Sequence, residues 1–267
     1  MVQPSASLIF KLDQDDRNLD AYRLQAWFNN YAEEEQPKVI HTSENRQKKE
    51  LATVIDDILH KKVLGKLAVC RDAFTIEFFL PKELLFEPVD QWILDADINE
   101  TLGNCYKLVI RSCERFEEDK LLNRLRNYWL PNTYQSVPND VIYRVEQDKI
   151  GKTRSQLEAR KLFFALKFVP DQFSLFKFIQ YGVPFLLWTR ISSNGAEEIA
   201  AELDRLLNCC ATLENLPEEL RKERLRIVED ELDQSSMMFN LSLLWDDPNK
   251  IPPFSELPPH YTAPTLP

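Results

Sequence analysis

Short apolar runs of strand length alternate with helix-patterned stretches from residue 74 onward, and this alternation most constrains the fold. The runs are rich in β-branched and aromatic residues and are bounded by proline, glycine or charged residues. They lie at residues 74–80, 105–111, 141–145, 163–169, 183–188 and 238–245. Continuous apolar strands separated by helices are typical of a parallel sheet with both faces covered. The sequence therefore predicts a three-layer α/β fold with a mainly parallel sheet flanked by helices.

The residues before this region follow a different pattern. Alternating apolar and polar residues at 8–12 and 21–28, joined by an acidic connector, predict an antiparallel pair of strands, and 38–41 predicts a third. A helix is expected to begin at Ser43 and to end by Gly65. We expect one domain over 1–267, with N-terminal strands at 1–42, an α/β core at 43–250 and a proline-rich surface tail at 251–267.

Charge and composition argue against several classes of protein. The net charge is −10 and the pI is near 5.0, which argues against a general affinity for nucleic acid or for an anionic membrane. No apolar run approaches the ~20 residues of a membrane helix, and the N-terminus lacks the pattern of a signal peptide. The five cysteines contain no CxxC pair, so we expect buried free thiols in a cytoplasmic protein.

The common catalytic and nucleotide-binding motifs are absent from the sequence. Gly151-Lys152-Thr153 resembles the end of a phosphate-binding loop, but Glu146 stands where that loop requires glycine. The three histidines, His41, His60 and His260, have no metal-binding spacing, and no serine lies in a GxSxG elbow. A catalytic Cys–His pair would require Cys70 or Cys113 to meet His41 across the fold. The sequence predicts no cofactor and no metal site.

Polar residues follow several predicted strands at their carboxyl ends, where open parallel sheets bind ligands. They are Pro81 and Lys82, Arg111 and Ser112, Pro170 and Asp171, Trp188 and Arg190, and Asp246 and Asp247. If the strands are parallel, these residues share one rim that could bind a small anion or a partner's peptide. The alternative is that the aspartates cap a turn before Pro248 while the arginines pair with surface acids.

Glu77 is a carboxylate inside an otherwise apolar predicted strand. Burying a carboxylate is costly unless it is paired, so we expect Arg111 of a neighbouring strand to be its partner. A raised pKa and a catalytic role are the functional alternative. The tryptophans at 92, 129, 188 and 245 are expected to pack in the core or between layers.

The order of several motifs resembles one known family. These are IEFFLPKELL–PVDQW (76–92), YKLVIRSCERF (106–116), the Trp129 helix, GVPFLLWTR (182–190) and LWDDPNKIPP (244–253). In this order and spacing they are similar to the C-terminal domain of vWA-MoxR-associated proteins. The family-like positions are Glu77, Leu80, Pro81, Trp92, Arg111, Glu114, Arg115, Trp188, Asp246 and Asp247.

The resemblance implies a place in bacterial conflict (antiphage-like) systems. Such proteins are encoded with a MoxR-type AAA+ ATPase and a von Willebrand factor A (vWA) protein, often behind an adaptor or peptidase domain. This implies a non-catalytic scaffold or sensor that couples those partners to an effector or peptidase module, with any effector activity outside this chain. The alternative is an α/β hydrolase or nuclease that uses Glu77, Asp246 and Asp247 as metal-binding or acid–base carboxylates. A third hypothesis, a small-ligand sensor, requires a deep pocket at the strand ends.

Overall fold

The computed structural model describes most of the chain. The described residues are 6–15, 17–30, 37–66, 74–95, 97, 100–129, 135, 141–191, 196–230 and 236–254. Within them, ten strands form one sheet: β1 (Ala6–Asp15), β2 (Asn18–Asn30), β3 (Lys38–Thr42), β4 (Arg46–Gln47), β5 (Phe74–Leu80), β8 (Lys107–Ser112), β9 (Ile142–Val145), β10 (Phe163–Leu166), β11 (Phe185–Thr189) and β12 (Leu241–Trp245). Their order across the sheet is β3-β2-β1-β5-β8-β12-β11-β10-β9, with β4 also paired to β2. Two further short strands, β6 (Ile93–Asp95) and β7 (Glu100–Thr101), pair with each other.

The sheet consists of two parallel groups that run in opposite directions. Strands β1, β5, β8 and β12 are parallel to one another, and β9, β10 and β11 are parallel to one another. The two groups meet where β11 pairs antiparallel with β12. At the other side, β2 is antiparallel to β1 and β3 is antiparallel to β2. The predicted mainly parallel sheet with an antiparallel N-terminal addition is therefore confirmed.

Helices cover both faces of the sheet. The α-helices are α1 (Lys48–Asp57), α2 (Leu102–Cys105), α3 (Cys113–Glu117), α4 (Asp119–Tyr128), α5 (Thr153–Glu158), α6 (Gln172–Tyr181), α7 (Ala196–Cys209) and α8 (Leu216–Glu229). A π-helical segment, Ile58–Lys66, continues α1. Short 3-10 turns lie at Lys82–Leu84, Val89–Gln91, Gln147–Lys152, Leu213–Asn215 and Met238–Asn240. In the described part of the chain, no helix is both long and apolar enough to cross a bilayer.

The core forms on both sides of the sheet because neighbouring residues of each strand point to opposite faces. On one face, Phe78 and Ile110 pack in a cluster with apolar residues of α1 and α6. On the other face, α7 and α8 cover strands β9 to β12. Residues of α3 and α4 cover β1 and β5 there, together with Phe254 of the segment after β12. The three-layer prediction is confirmed by this arrangement.

Some predicted boundaries move for identifiable reasons. Ser43 does not begin a helix, because its backbone and side chain both pair with Leu24 of β2, and α1 starts five residues later. Cys105 ends the short helix α2 and lies outside the strand that was predicted to contain it. The Trp129 helix of the motif order is α4, which ends at Tyr128, so Trp129 directly follows the helix. The predicted tail falls at 255–267 outside the described residues.

Candidate functional site

Adjacent parallel strands place Glu77 and Arg111 side by side on one face of the sheet. Glu77 lies in β5 and Arg111 lies in β8. The Arg111 Nη1 atom donates to Glu77 Oε2 at 2.7 Å, and the Ser7 hydroxyl donates to Glu77 Oε1 at 2.5 Å. Both residues are buried, with 4% and 2% exposure. The expected Glu77–Arg111 pair is therefore present.

Arg111 also holds the segment that follows β12. Its guanidinium lies 4.5 Å from the ring centres of both Phe79 and Phe116. Its Nη2 atom donates to the carbonyl oxygens of Asp247 and Lys250, each at 2.9 Å. The planar guanidinium of Arg111 thus contacts Glu77 of the neighbouring strand, two aromatic rings and the chain after β12. The fixed geometry of its N–H donors allows these contacts to be made together.

Asp246 makes a second ion pair beside the first. Its carboxylate accepts a hydrogen bond from Arg115 Nη1 at 2.8 Å and from the Ser112 amide at 3.3 Å, and Arg111 Nε lies 3.7 Å away. The Arg115 Nη2 atom donates to the carbonyl oxygens of Phe178 and Ile179 near the end of α6. Two cations and two carboxylates therefore form one buried cluster, which we name the first arginine network: Glu77, Arg111, Arg115 and Asp246.

Burial and pairing act against each other on the pKa values of these groups. Burial would raise the pKa of Glu77, but Arg111, Lys250 and the hydrogen bond from Ser7 together lower it below its ordinary value. Burial raises the pKa of Asp246, although Arg115 and Arg111 oppose that rise. Glu77 is therefore held as a carboxylate, and its oxygens already accept hydrogen bonds.

A second buried cluster, the second arginine network, consists of Asp90, Arg190 and Arg224. Arg190 donates to both oxygens of Asp90 at 2.7 and 2.9 Å and also contacts the Ser242 hydroxyl. Arg224 of α8 lies 3.0 Å from the same carboxylate and donates to the Leu241 carbonyl at 2.6 Å. This network therefore joins the end of β11, the start of β12 and helix α8.

Gly103 of α2 is required by the close packing of the second arginine network. A Cβ atom at this position would lie 2.8 Å from the Asp90 carbonyl oxygen and 2.9 Å from Arg224 Nη1. Both distances are shorter than carbon contacts tolerate, so a side chain here would displace the backbone or the guanidinium. The absence of a side chain lets α2 and α8 approach each other across Asp90.

A scan against protein-family models matches residues 20–248 to the vWA-MoxR associated protein C-terminal domain. The chain belongs to this family. A search of curated proteins found no match. The resemblance drawn from the motif order is confirmed, and the matched residues include every member of both arginine networks.

In this member of the vWA-MoxR associated C-terminal domain family, the predicted rim residues are divided between the two sides of the sheet at which its strands begin and end. The structure brings Arg111, Ser112, Asp246 and Asp247 together at the carboxyl ends of β8 and β12. Trp188 and Arg190 lie near the amino end of β12, because β11 runs antiparallel to β12 and its carboxyl end pairs with Leu241. The single shared rim is therefore wrong, since it assumed that all these strands run in one direction.

The remaining predicted site residues have local roles. The Asp247 carboxylate accepts from the Asn249 amide at 2.8 Å, so it caps the turn around Pro248. Asp171 caps α6 by accepting from the Ser174 amide at 2.6 Å. Pro81 and Trp92 are half-buried, and Trp188 is fully buried in the core.

The carboxylates of the hydrolase hypothesis are engaged by cations or by the backbone. Glu77 binds Arg111, Asp246 binds Arg115, and Asp247 caps a turn. Across the described residues, no group of three or more histidine, cysteine or acidic side chains is placed to hold a metal ion. These three carboxylates thus form buried arginine pairs and a turn cap, an arrangement that fixes loops.

The predicted cysteine environment is correct for some residues and wrong for others. Cys113 and Cys210 are buried free thiols, and burial raises the pKa of Cys210 to about 12. Cys209 is exposed and Cys105 is half-buried, which contradicts the expectation that every thiol is buried. Cys70 falls outside the described residues. His41 contacts Lys62, and Cys113 lies near Lys11 and Glu117, so the geometry gives no Cys113–His41 pair.

Sequence reasoning missed the second arginine network. Asp90 lies in the PVDQW motif but is not among the predicted site residues, and neither is Arg224. A signal for Arg224 is present in the sequence, because it falls on the apolar stripe of α8 beside Leu220 and Ile227. A charged residue at a core-facing helix position requires a buried partner, and that partner is Asp90.

Proposed function

We propose that this chain is a non-catalytic scaffold or sensor module of a bacterial conflict system. It would couple a MoxR-type ATPase and a vWA protein to an effector or peptidase module in the cytoplasm, acting as one α/β unit over 1–267. Membership of the vWA-MoxR associated C-terminal domain family supports the association with such proteins. The observation that carries the proposal is the burial of the charged site residues against arginine partners.

Buried networks of this kind position neighbouring surfaces and do not contact a partner directly. Arg115 and Asp246 have 0% exposure, and Glu77 has 4%. Arg115 donates to the last turn of α6, and Arg111 fixes the segment after β12. Interactions among buried groups keep these elements in one arrangement, which favours a rigid recognition surface over a reactive centre.

The surface nearest to the anchored helix α6 has the chemistry of a protein interface. Phe173 is 70% exposed in the first turn of α6, with Lys177 Nζ 4.3 Å from its ring centre. Beside it, Lys82 Nζ lies 5.6 Å from the Phe176 ring centre, directly after the predicted interface residue Pro81. We name Pro81, Lys82, Phe173, Phe176 and Lys177 the α6 surface.

The α6 surface suits a partner that presents apolar and acidic groups. Aromatic residues are enriched at the centres of interfaces, where a few side chains contribute much of the binding energy, and polar or charged residues form the rim. Lys82 lies 3.7 Å from Glu83, and Lys177 adds positive charge beside Phe173 in a chain whose net charge is −10. We therefore propose that the MoxR-type ATPase or the vWA protein docks on the α6 surface, which the first arginine network supports from beneath.

Co-purification tests this proposal. Tagged chain is mixed with the MoxR-type ATPase and the vWA protein encoded beside it, with and without ATP, and the retained partner is measured. We expect Phe173→Ser to lower retention about tenfold or more, as for a hot-spot residue. The matched control is Val39→Ser, because Val39 is also exposed (64%) but lies in β3, away from α6.

Both residues are exposed, so neither substitution is expected to lower the melting temperature. Equal retention of the partners by both variants would remove the α6 surface from the proposal. If neither protein is retained by the unmodified chain, the proposed coupling is wrong. Turnover of a substrate by the isolated chain would contradict the non-catalytic role.

A further inference from the structure

An open pocket of about 450 Å³ lies between the β3–β4 connection and the first helix. Its polar lining includes the side chains of His41, Arg46 and Lys62, and Val54 and Ile58 line it with apolar groups. This volume falls within the range of pockets that bind small molecules. The pocket lies beside the edge strand β3, and strands β2 and β1 stand between β3 and β5, the strand that carries Glu77 of the first network.

Lys62 and His41 contact each other beside the pocket. Lys62 Nζ donates to the Ile40 carbonyl at 2.7 Å and lies 3.1 Å from His41 Nδ1. An ammonium group can only donate, so Nδ1 of a neutral His41 is the acceptor and Nε2 carries the hydrogen. Nε2 is buried and has no hydrogen-bond partner among the described residues. Lys62 is therefore held at the wall of the pocket by the Ile40 carbonyl and the His41 ring, and the His41 ring senses the charge placed there.

The charges around the pocket leave positive charge uncompensated. Lys61 pairs with Asp57 at 2.7 Å, so these two lining residues neutralise each other. Arg46 and Lys62 have no carboxylate within ion-pair distance in the described part of the chain, and Glu44 is the remaining acidic residue of the lining. Two cations therefore face one carboxylate in a chain that is strongly acidic as a whole.

We infer that this pocket binds a small ligand that carries a phosphoryl group. Its oxygens would accept from Lys62 and Arg46, and the rest of the ligand would contact Val54 and Ile58. Lysine and arginine are the usual donors to phosphoryl oxygens, and the apolar lining suits a ligand larger than the free anion. This site is independent of the α6 surface and of the proposed coupling role.

The protonation of His41 reports on binding. Burial, Lys62 and Arg46 lower the pKa of His41 below its ordinary value. The charged groups that line the pocket with it are Arg46, Lys61, Lys62, Glu44 and Asp57. An anion placed among them offsets the cations, so its binding raises the pKa of His41.

Histidine NMR tests the inference directly. The three histidine Cε1–H signals are recorded from pH 5 to 8 with no ligand, with inorganic phosphate and with phenyl phosphate, using phenol as the uncharged control. The His41 signal is assigned by its loss in His41→Gln. We expect both phosphates to move this signal and raise its titration midpoint, phenyl phosphate at lower concentration. Phenol should have no effect, and His60 and His260 serve as internal references.

Substitutions distinguish binding of phenyl phosphate in this pocket from general attraction of the anion to positive charge on the protein. Lys62→Met and Arg46→Gln are each expected to weaken phenyl phosphate binding about tenfold or more, since each removes a charged donor. Lys222→Met is the control, because it removes an equal charge from the distant helix α8. Arg46 is exposed, so its replacement remains informative if Lys62→Met fails to fold. The inference is overturned if His41 does not respond to either phosphate, or if Lys222→Met weakens binding as much as the pocket variants.

Discussion

The two arginine networks lie at opposite ends of the central strand β12 and differ in their balance of charge. The first network sets Arg111 and Arg115 against two carboxylates, Glu77 and Asp246. The second network sets Arg190 and Arg224 against Asp90, the one carboxylate that pairs with either of them within the described residues. The first is neutral in total, and the second carries a net positive charge.

This difference determines how each network tolerates the loss of a carboxylate. In the first, loss of Asp246 leaves Arg111 paired with Glu77 and leaves Arg115 bound to two carbonyl oxygens. In the second, loss of Asp90 removes the counter-charge of both guanidiniums at once. Neutral networks distribute the cost of desolvation, whereas the second network depends on a single side chain.

The largest effect is expected for Asp90→Asn. This change leaves two buried guanidiniums without a counter-charge, and we expect it to lower the free energy of unfolding by about 3–5 kcal/mol. Urea denaturation followed by circular dichroism measures the loss. Asp230→Asn, an exposed residue after α8, is the control and should leave stability nearly unchanged. A loss of less than about 1 kcal/mol for Asp90→Asn would contradict the dependence on one carboxylate.

Asp246→Asn tests the other side of the comparison. It removes the ion pair of Arg115 but leaves the Glu77–Arg111 pair, so we expect a loss of about 2–3 kcal/mol, smaller than for Asp90→Asn. The same denaturation experiment gives the ranking. If Asp246→Asn is the more damaging of the two, charge balance does not explain how these networks differ.

Sequence reasoning reached the elements that local chemistry determines. The bounds of β5 agree with the apolar run closed by Pro81, and α6 ends at Tyr181, directly before Gly182, whose φ of 89° lies in the left-handed region that glycine readily adopts. The pairing of Glu77 with Arg111 was also predictable, because a buried carboxylate requires a cation nearby.

The direction of the strands could not be predicted in the same way. The runs that form β11 and β12 are both continuously apolar, and the two helices between them are equally compatible with a parallel crossover. A continuous run of apolar residues indicates that a strand is buried, but it does not indicate in which direction the strand runs relative to its neighbours. The antiparallel pairing at this point separates Arg190 from Asp246, which is why the predicted rim is divided in two and why the second network was missed.

The smallest effect concerns the pH dependence that Glu77 gives to the first network. The pKa of Glu77 in the folded chain is lowered from its ordinary value of 4.5, since the effects of Arg111, Lys250 and Ser7 outweigh burial. Its stabilising contribution is therefore complete above pH 4.5 and is lost as the pH falls through the folded value. At pH 7 we expect Glu77→Gln to cost about 1–2 kcal/mol, because Arg111 keeps its carbonyl partners and Asp246.

The unfolding free energy of the unmodified chain and of Glu77→Gln, measured between pH 7 and pH 3, tests this sign. The curve of the variant should be flatter below pH 4.5, so that the two curves converge in acid. Glu229→Gln, an exposed carboxylate at the end of α8, is the matched control and should keep the slope of the unmodified chain. Curves that remain parallel down to pH 3 would show that Glu77 does not stabilise the first network through its charge. The balance of two cations by two carboxylates would then not be what distinguishes the first arginine network from the second.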